Sequence, residues 1–137
     1  MKLNLVTLAV PIIVLMFLGM YAAKLPWTAW RIVGMAIAVP AFLLFAAAHI
    51  ELGRAFSVRA KATTLVTTGV YSRIRNPIYF FSAVMILGII IWTGRSWLLL
   101  FFAVLVPLQV VRSRKEERVL TEKFGAEYLE YTRKTWF

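Results

Sequence analysis

Leu3 to Ala23 is an almost unbroken apolar run that follows the single cation Lys2. A helix of that length, rising 1.5 Å per residue, crosses a hydrocarbon core of about 30 Å. A run of this kind leaves little room for a soluble fold, and the rest of the chain agrees with it. Of 137 residues, 61% are hydrophobic and 16% charged, and the mean hydropathy of +0.78 is wrong for a soluble domain. The length suits one domain. A cleaved signal peptide is the competing reading of the first segment, with Lys2 as its basic start and Ala22-Ala23 as its small-residue end, but its apolar region would be only about 7 to 15 residues. Pro11 is expected to kink this helix, a defect that neighbouring helices can absorb.

Further apolar segments continue the pattern. Lys24 to Arg31 holds Trp27 and Trp30 between cations, which matches a membrane interface, and the chain then turns back into a second helix over about 32–50. That helix carries Pro40 and the small residues Gly34, Ala36, Ala38, Ala41 and Ala46 to Ala48, which permit close helix contact. His49 and Glu51 mark its expected exit, with His49 read as an interfacial group. Two shorter apolar segments, 77–92 and 97–111, flank Thr93-Gly94-Arg95-Ser96, a turn by composition. They are read as a transmembrane hairpin, or alternatively as a re-entrant one that does not span. From Arg112 the chain is charged and patterned as an amphipathic helix, with Leu120 and Phe124 four apart, as are Arg112 and Glu116. The expected fold is an all-α integral membrane protein of about four transmembrane helices, including a short C-terminal hairpin, followed by a cytoplasmic amphipathic helix.

The charge fixes an orientation for that plan. The 16 Lys and Arg against 6 Asp and Glu give a net charge of +10, which on a hydrophobic chain points to cytoplasmic loops and anionic lipid headgroups rather than nucleic acid. Four crossings put the loop 52–76, the tail 112–137 and Lys2 on one side and leave Lys24, Arg31 and Arg95 on the other, so both termini are expected in the cytoplasm. A prokaryotic plasma membrane is the expected location. The chain has no cysteine and one histidine, which excludes disulfides and a cysteine nucleophile and leaves no ordinary ligand set for a metal.

Chemistry is expected where the polar segment Thr68 to Tyr79 meets the third apolar block. Gly69 permits a turn, and Asn76 before Pro77 has the form of a helix N-cap with proline at the first helical position. Free N-H groups and the positive end of the helix dipole there suit an anion. Gly69-x-Tyr71-x-x-x-Arg75-Asn76-Pro77-x-Tyr79 resembles the Arg-His/Asn-Pro-x-Tyr signature of the isoprenylcysteine carboxyl methyltransferase and phospholipid methyltransferase superfamily. A second block, Glu116-Glu117-x-x-Leu120-x-x-x-Phe124-Gly125-x-Glu127-Tyr128-x-x-Tyr131, is similar to that superfamily's C-terminal signature. The run Thr63-Thr64-Leu65-Val66-Thr67-Thr68-Gly69 resembles the lead-in to the first signature, and Gly53-Arg54-x-Phe56-Ser57 is a shorter match to another family motif.

The resemblance implies S-adenosylmethionine-dependent methyl transfer to a lipophilic or lipid-anchored acceptor at the cytoplasmic face. It implies that Leu65, Gly69, Tyr71, Arg75, Asn76, Pro77, Tyr79, Glu117 and Tyr128 bind the cofactor and that Glu116, a catalytic candidate, helps close it from the C-terminal helix, while Arg112 is the catalytic candidate for orienting the acceptor. Where the family more usually has His, this chain has Asn76, and where it has a small residue, this chain has Phe81, which would leave less room beside the donor. A prenylated cysteine carboxylate is the first acceptor expected, with a phospholipid amine or a small thiol as alternatives. Other readings are a membrane reductase using a nicotinamide cofactor and a non-enzymatic basic subunit that binds anionic lipid. For Glu116 and Glu117 the bland alternative is a solvated helix face paired with Arg112, Arg114 or Lys123.

Overall fold

The computed structural model describes residues 16, 19–21, 23–58 and 65–136 of the chain, with the side chains of 54–58 left aside. The expected first helix over 3–23 therefore lies almost wholly outside the described residues, as do Thr63 and Thr64. The described elements are all helical: α1 (Ala29–Val58), a 3-10 turn (Gly69–Ser72), α2 (Pro77–Thr93), α3 (Leu98–Phe124) and α4 (Ala126–Lys134). Among the described residues one helix is long and apolar enough to cross a membrane, through its 25-residue portion Ala29–Gly53, and Pro77–Thr93 is a shorter apolar helix.

α1 and α2 form the packed centre, and small residues are what bring them together. Gly34, Ala38, Ala41 and Ala48 are the buried residues of α1, spaced so that they share one helical face. On α2 the buried Pro77, Phe81, Gly88 and Trp92 form the matching stripe. The two helices run antiparallel and nearly touch at the glycines. A Cβ on Gly88 would lie 2.7 Å from the Ala38 backbone nitrogen and 2.8 Å from the Gly34 carbonyl oxygen, so only hydrogen fits. Ala36, on the other side of α1, is exposed. Gly88→Val should lower the thermal midpoint in detergent markedly, since forcing atoms against backbone costs about 1 to 3 kcal/mol. Ala36→Val should leave the midpoint unchanged. Equal midpoints for the two variants would mean that the helices separate without cost.

Two boundaries differ from the sequence reading. α1 does not end near Ile50 but continues to Val58, which places His49 and Glu51 inside the helix and shortens the polar loop at its front. Nothing from Glu51 to Val58 breaks a helix, Gly53 excepted, and a single glycine costs only about 1 kcal/mol there. The helix that begins at Leu98 likewise passes Val111 without interruption and runs to Phe124, so the apolar segment 97–111 and the front of the charged tail are one element. The Arg, Lys and Glu residues of 112–118 are good helix formers, and the chain turns only at Gly125, whose φ of +52° suits glycine. Gly94, with φ of +67°, closes α2 in the left-handed conformation and donates its N-H to the carbonyls of Ile90 and Ile91.

α3 returns alongside α2 in the opposite direction. Gln109 Nε2 donates to Ser82 Oγ at 2.9 Å, and further pairs at the charged end continue the register. Leu100, Phe101, Val104, Leu108 and Val111 project outward from α3, an apolar surface of the kind that lipid covers.

Candidate functional site

The polar side chains gather where the first turn of α2 meets the charged half of α3. Asn76 stands at the N-cap position of α2 with Pro77 behind it, but its amide does not cap the helix. It crosses instead to α3, where Nδ2 donates to Glu117 Oε1 at 2.7 Å. Three residues on, the Tyr79 hydroxyl donates to Glu116 Oε1 at 2.5 Å, a short charge-assisted bond. The Arg112 guanidinium, one helical turn before Glu116, is near enough to act on the Tyr79 phenol electrostatically. Glu116 and Glu117 thus bond to α2 rather than serving only as a solvated helix face.

The Gly69–Ser72 turn and α4 close the other side. Gly69 adopts φ of +59°, the left-handed conformation expected of it, and the buried Tyr71 follows. The Tyr131 hydroxyl donates to the Tyr71 carbonyl at 2.7 Å in a buried bond, and the Trp136 N-H donates to the Arg73 carbonyl at 2.9 Å. Burial raises the phenols of Tyr71, Tyr128 and Tyr131 above the ordinary tyrosine range. Neighbouring charge adds to this: Tyr131, Glu51 and Glu116 for Tyr71, and Glu117 for Tyr128, with Arg75 opposing the shift at Tyr128 and Tyr131. All three phenols therefore remain protonated at neutral pH, and that of Tyr131 is the one that donates in the bond above.

Arg75 acts electrostatically on both Tyr128 and Tyr131, and Glu117 acts on Tyr128, so these four side chains lie near one another. The Arg75 Nε is buried and has no hydrogen-bond partner, an orphaned cationic donor. A group bearing a carboxylate, such as the amino-acid end of S-adenosylmethionine, suits that donor in charge, and the tyrosines offer surfaces for an adenine. Arg73 behaves differently, lying over the Trp136 ring at 5.4 Å on the outside of the turn.

Of the residues singled out from the sequence, Tyr71, Arg75, Asn76, Tyr79, Arg112, Glu116, Glu117 and Tyr128 form one cluster. Gly69 and Pro77 shape the backbone that carries it. Leu65 lies in extended chain four residues ahead of Gly69, outside the hydrogen bonds that join the cluster. Phe81 sits on the α2 stripe that includes Gly88 and Trp92, facing α1 rather than the face of Tyr79 and Ser82 that meets α3.

The bonds of two contributors escaped the sequence reading. Tyr131 was legible as part of the second signature and as a group able to pack or hydrogen-bond, but its bond to a backbone carbonyl has no sequence signal. Glu51, taken for a helix-end marker, instead accepts the Val70 N-H at 3.1 and 3.4 Å through its two carboxylate oxygens.

The model of a family described as phospholipid methyltransferase matches residues 29–127 of the chain. That span contains α1, the turn, α2 and α3 whole, and it ends one residue before Tyr128. Searches of curated proteins and of solved structures return no match.

Proposed function

Because the chain belongs to the phospholipid methyltransferase family, within the superfamily of membrane methyltransferases whose donor is S-adenosylmethionine, we propose that it methylates a lipid-borne amine at the cytoplasmic membrane face. The Tyr79 to Glu116 hydrogen bond beside Arg112 carries this reading. An alkylamine is mostly protonated at neutral pH, as a lysine with its pKa of about 10.4 is, and must lose a proton before its nitrogen can attack. Glu116 is the carboxylate placed to take that proton, while Tyr79 holds and orients it. Arg112 would hold the phosphate of the same headgroup.

When bound, the donor would supply an activated methyl group for in-line displacement by the nitrogen, its carbon–sulfur bond breaking and a neutral thioether leaving. Arg75 would hold the donor's carboxylate, and Glu117, oriented by Asn76, would accept from its ribose hydroxyls. Tyr71 and Tyr128 would line its aromatic end. Nothing in this sequence of events needs a metal or a covalent enzyme intermediate; positioning and electrostatics supply the rate. A prenylated cysteine carboxylate is the second acceptor, supported by the superfamily signature, and Arg112 suits it as well. It differs in needing no proton removed, which would leave the Glu116 carboxylate without that task.

Calorimetry on the detergent-purified protein, with S-adenosylmethionine and NADPH as ligands, should give binding of the first alone. Methyl transfer to phosphatidylethanolamine vesicles should exceed transfer to a prenylcysteine or to a small thiol. Binding of NADPH without S-adenosylmethionine would replace the methyltransferase by a reductase. Transfer to prenylcysteine alone would move the acceptor atom from nitrogen to oxygen.

A further inference from the structure

Glu51 sits in the interior of α1, nineteen residues before the amide that it accepts, and its carboxylate hydrogen-bonds α1 to the Gly69–Ser72 turn. Three observations meet there. Its carboxylate occupies the space that a side chain on Gly69 would need, so that a Cβ at Gly69 would overlap the carboxylate atoms. Both of its oxygens lie within reach of the Val70 N-H, at 3.1 and 3.4 Å. Its charge also acts on the Tyr71 phenol, which lies within electrostatic reach of Glu116 and Tyr79 as well.

The turn is thus held from two directions. On one side Tyr131 and Trp136 donate to the carbonyls of Tyr71 and Arg73. On the other a single carboxylate accepts the amide at the start of the turn. A 3-10 turn of four residues has few hydrogen bonds of its own, and here its local ties are Ser72 Oγ to the Gly69 carbonyl at 2.6 Å, Tyr71 N-H to the Thr68 carbonyl at 3.1 Å, and the Arg73 and Ile74 N-H groups to the Val70 carbonyl at 3.4 and 3.3 Å. Its position relative to α2 and α3 is set by these outside contacts, and with it the positions of Tyr71 and, four residues on, Arg75.

We propose that Glu51 is a positioning residue for the donor site: its carboxylate locks the Gly69–Ser72 turn to the packed α1–α2 pair and thereby sets where Tyr71 and Arg75 face the donor. This rests on the methyltransferase reading for its consequence, not for its geometry. Gly69 is glycine for two reasons under this arrangement, its left-handed φ of +59° and the carboxylate above it.

Glu51→Ala, Glu51→Gln, Gly69→Ala and the double variant Glu51→Ala/Gly69→Ala separate these roles. Amide hydrogen exchange over 69–76, read on the whole protein without ligand, tests the lock itself. Glu51→Ala should speed exchange of that segment by about tenfold or more, while Glu51→Gln, which keeps an acceptor oxygen in place, should stay within about threefold. Gly69→Ala should speed exchange more in the wild-type background than in Glu51→Ala, where the overlap is gone. Affinity for S-adenosylmethionine should fall about tenfold in Glu51→Ala and be restored in Glu51→Gln, with the thermal midpoints of both close to wild type. Unchanged exchange in Glu51→Ala, equal losses in Ala and Gln variants, or an additive double variant would overturn the proposal. Failure of the wild-type protein to bind S-adenosylmethionine would instead defeat the functional reading, and the exchange results would still decide the role of Glu51 in holding the turn.

Discussion

Glu116→Gln lowers methyl transfer to an amine acceptor by about 10²- to 10⁴-fold, the range over which a positioned general base contributes, and leaves S-adenosylmethionine affinity within about threefold. Glutamine keeps the size of the side chain and an oxygen able to accept from Tyr79, so the site remains assembled while the carboxylate that would take the proton is gone. Tyr79→Phe should cost less, since it removes the bond that orients Glu116 but not the base. Arg112→Ala should also lower turnover with donor affinity retained, because the guanidinium lies beside Tyr79 and Glu116 rather than among Arg75, Tyr128 and Tyr131. Radiolabelled methyl transfer beside calorimetric donor binding separates the two quantities. Near-normal turnover of Glu116→Gln on a prenylcysteine, with none on an amine, would show an acceptor that never needed deprotonation. Parallel loss of donor binding and turnover in Arg112→Ala would remove that residue from the acceptor side.

The sequence exposed the site better than it exposed the helices around it. Arg75, Asn76, Pro77 and Tyr79 stand in a fixed local order at a helix start, and a proline after a polar residue marks such a start whatever surrounds it. Glu116 and Glu117 were legible through the second signature, but their partners were not. That Asn76 would reach Glu117 instead of capping its own helix depends on how α3 lies against α2, and that is decided by Ser82, Gln109 and the apolar surfaces between them. Glu51 was misjudged for a related reason. Charge at the end of an apolar run reads as an exit from the membrane, yet α1 extends past it, and the carboxylate turns inward to a backbone amide nineteen residues away. Long-range bonds to backbone leave no pattern in side-chain order. Small residues on α1 were visible as a group, but which of them meet α2 follows from the single face shared by Gly34, Ala38, Ala41 and Ala48.

Arg75→Ala should weaken S-adenosylmethionine binding by about 1.5 to 3 kcal/mol, roughly 10- to 150-fold, the cost of losing a charge-assisted bond in a partly enclosed site. Arg73→Ala, two residues earlier, should change it little, because that guanidinium lies over Trp136 and is exposed. The contrast turns on burial rather than on charge, since both side chains are cations of the same loop, and of the two only Arg75 has a buried, unpartnered Nε. Glu117→Ala should resemble Arg75→Ala, and Asn76 supplies a further check through its bond to Glu117. Asn76→His retains a donor that can reach the carboxylate and should bind S-adenosylmethionine within about threefold of wild type, whereas Asn76→Leu removes the donor and should lose about tenfold. Calorimetric titration of the five variants at one ionic strength decides the matter, and repeating it at higher salt separates a defined pocket from a diffuse positive field. Equal weakening by Arg73→Ala and Arg75→Ala, erased in both by salt, would mean that the cationic loop attracts the donor without holding it.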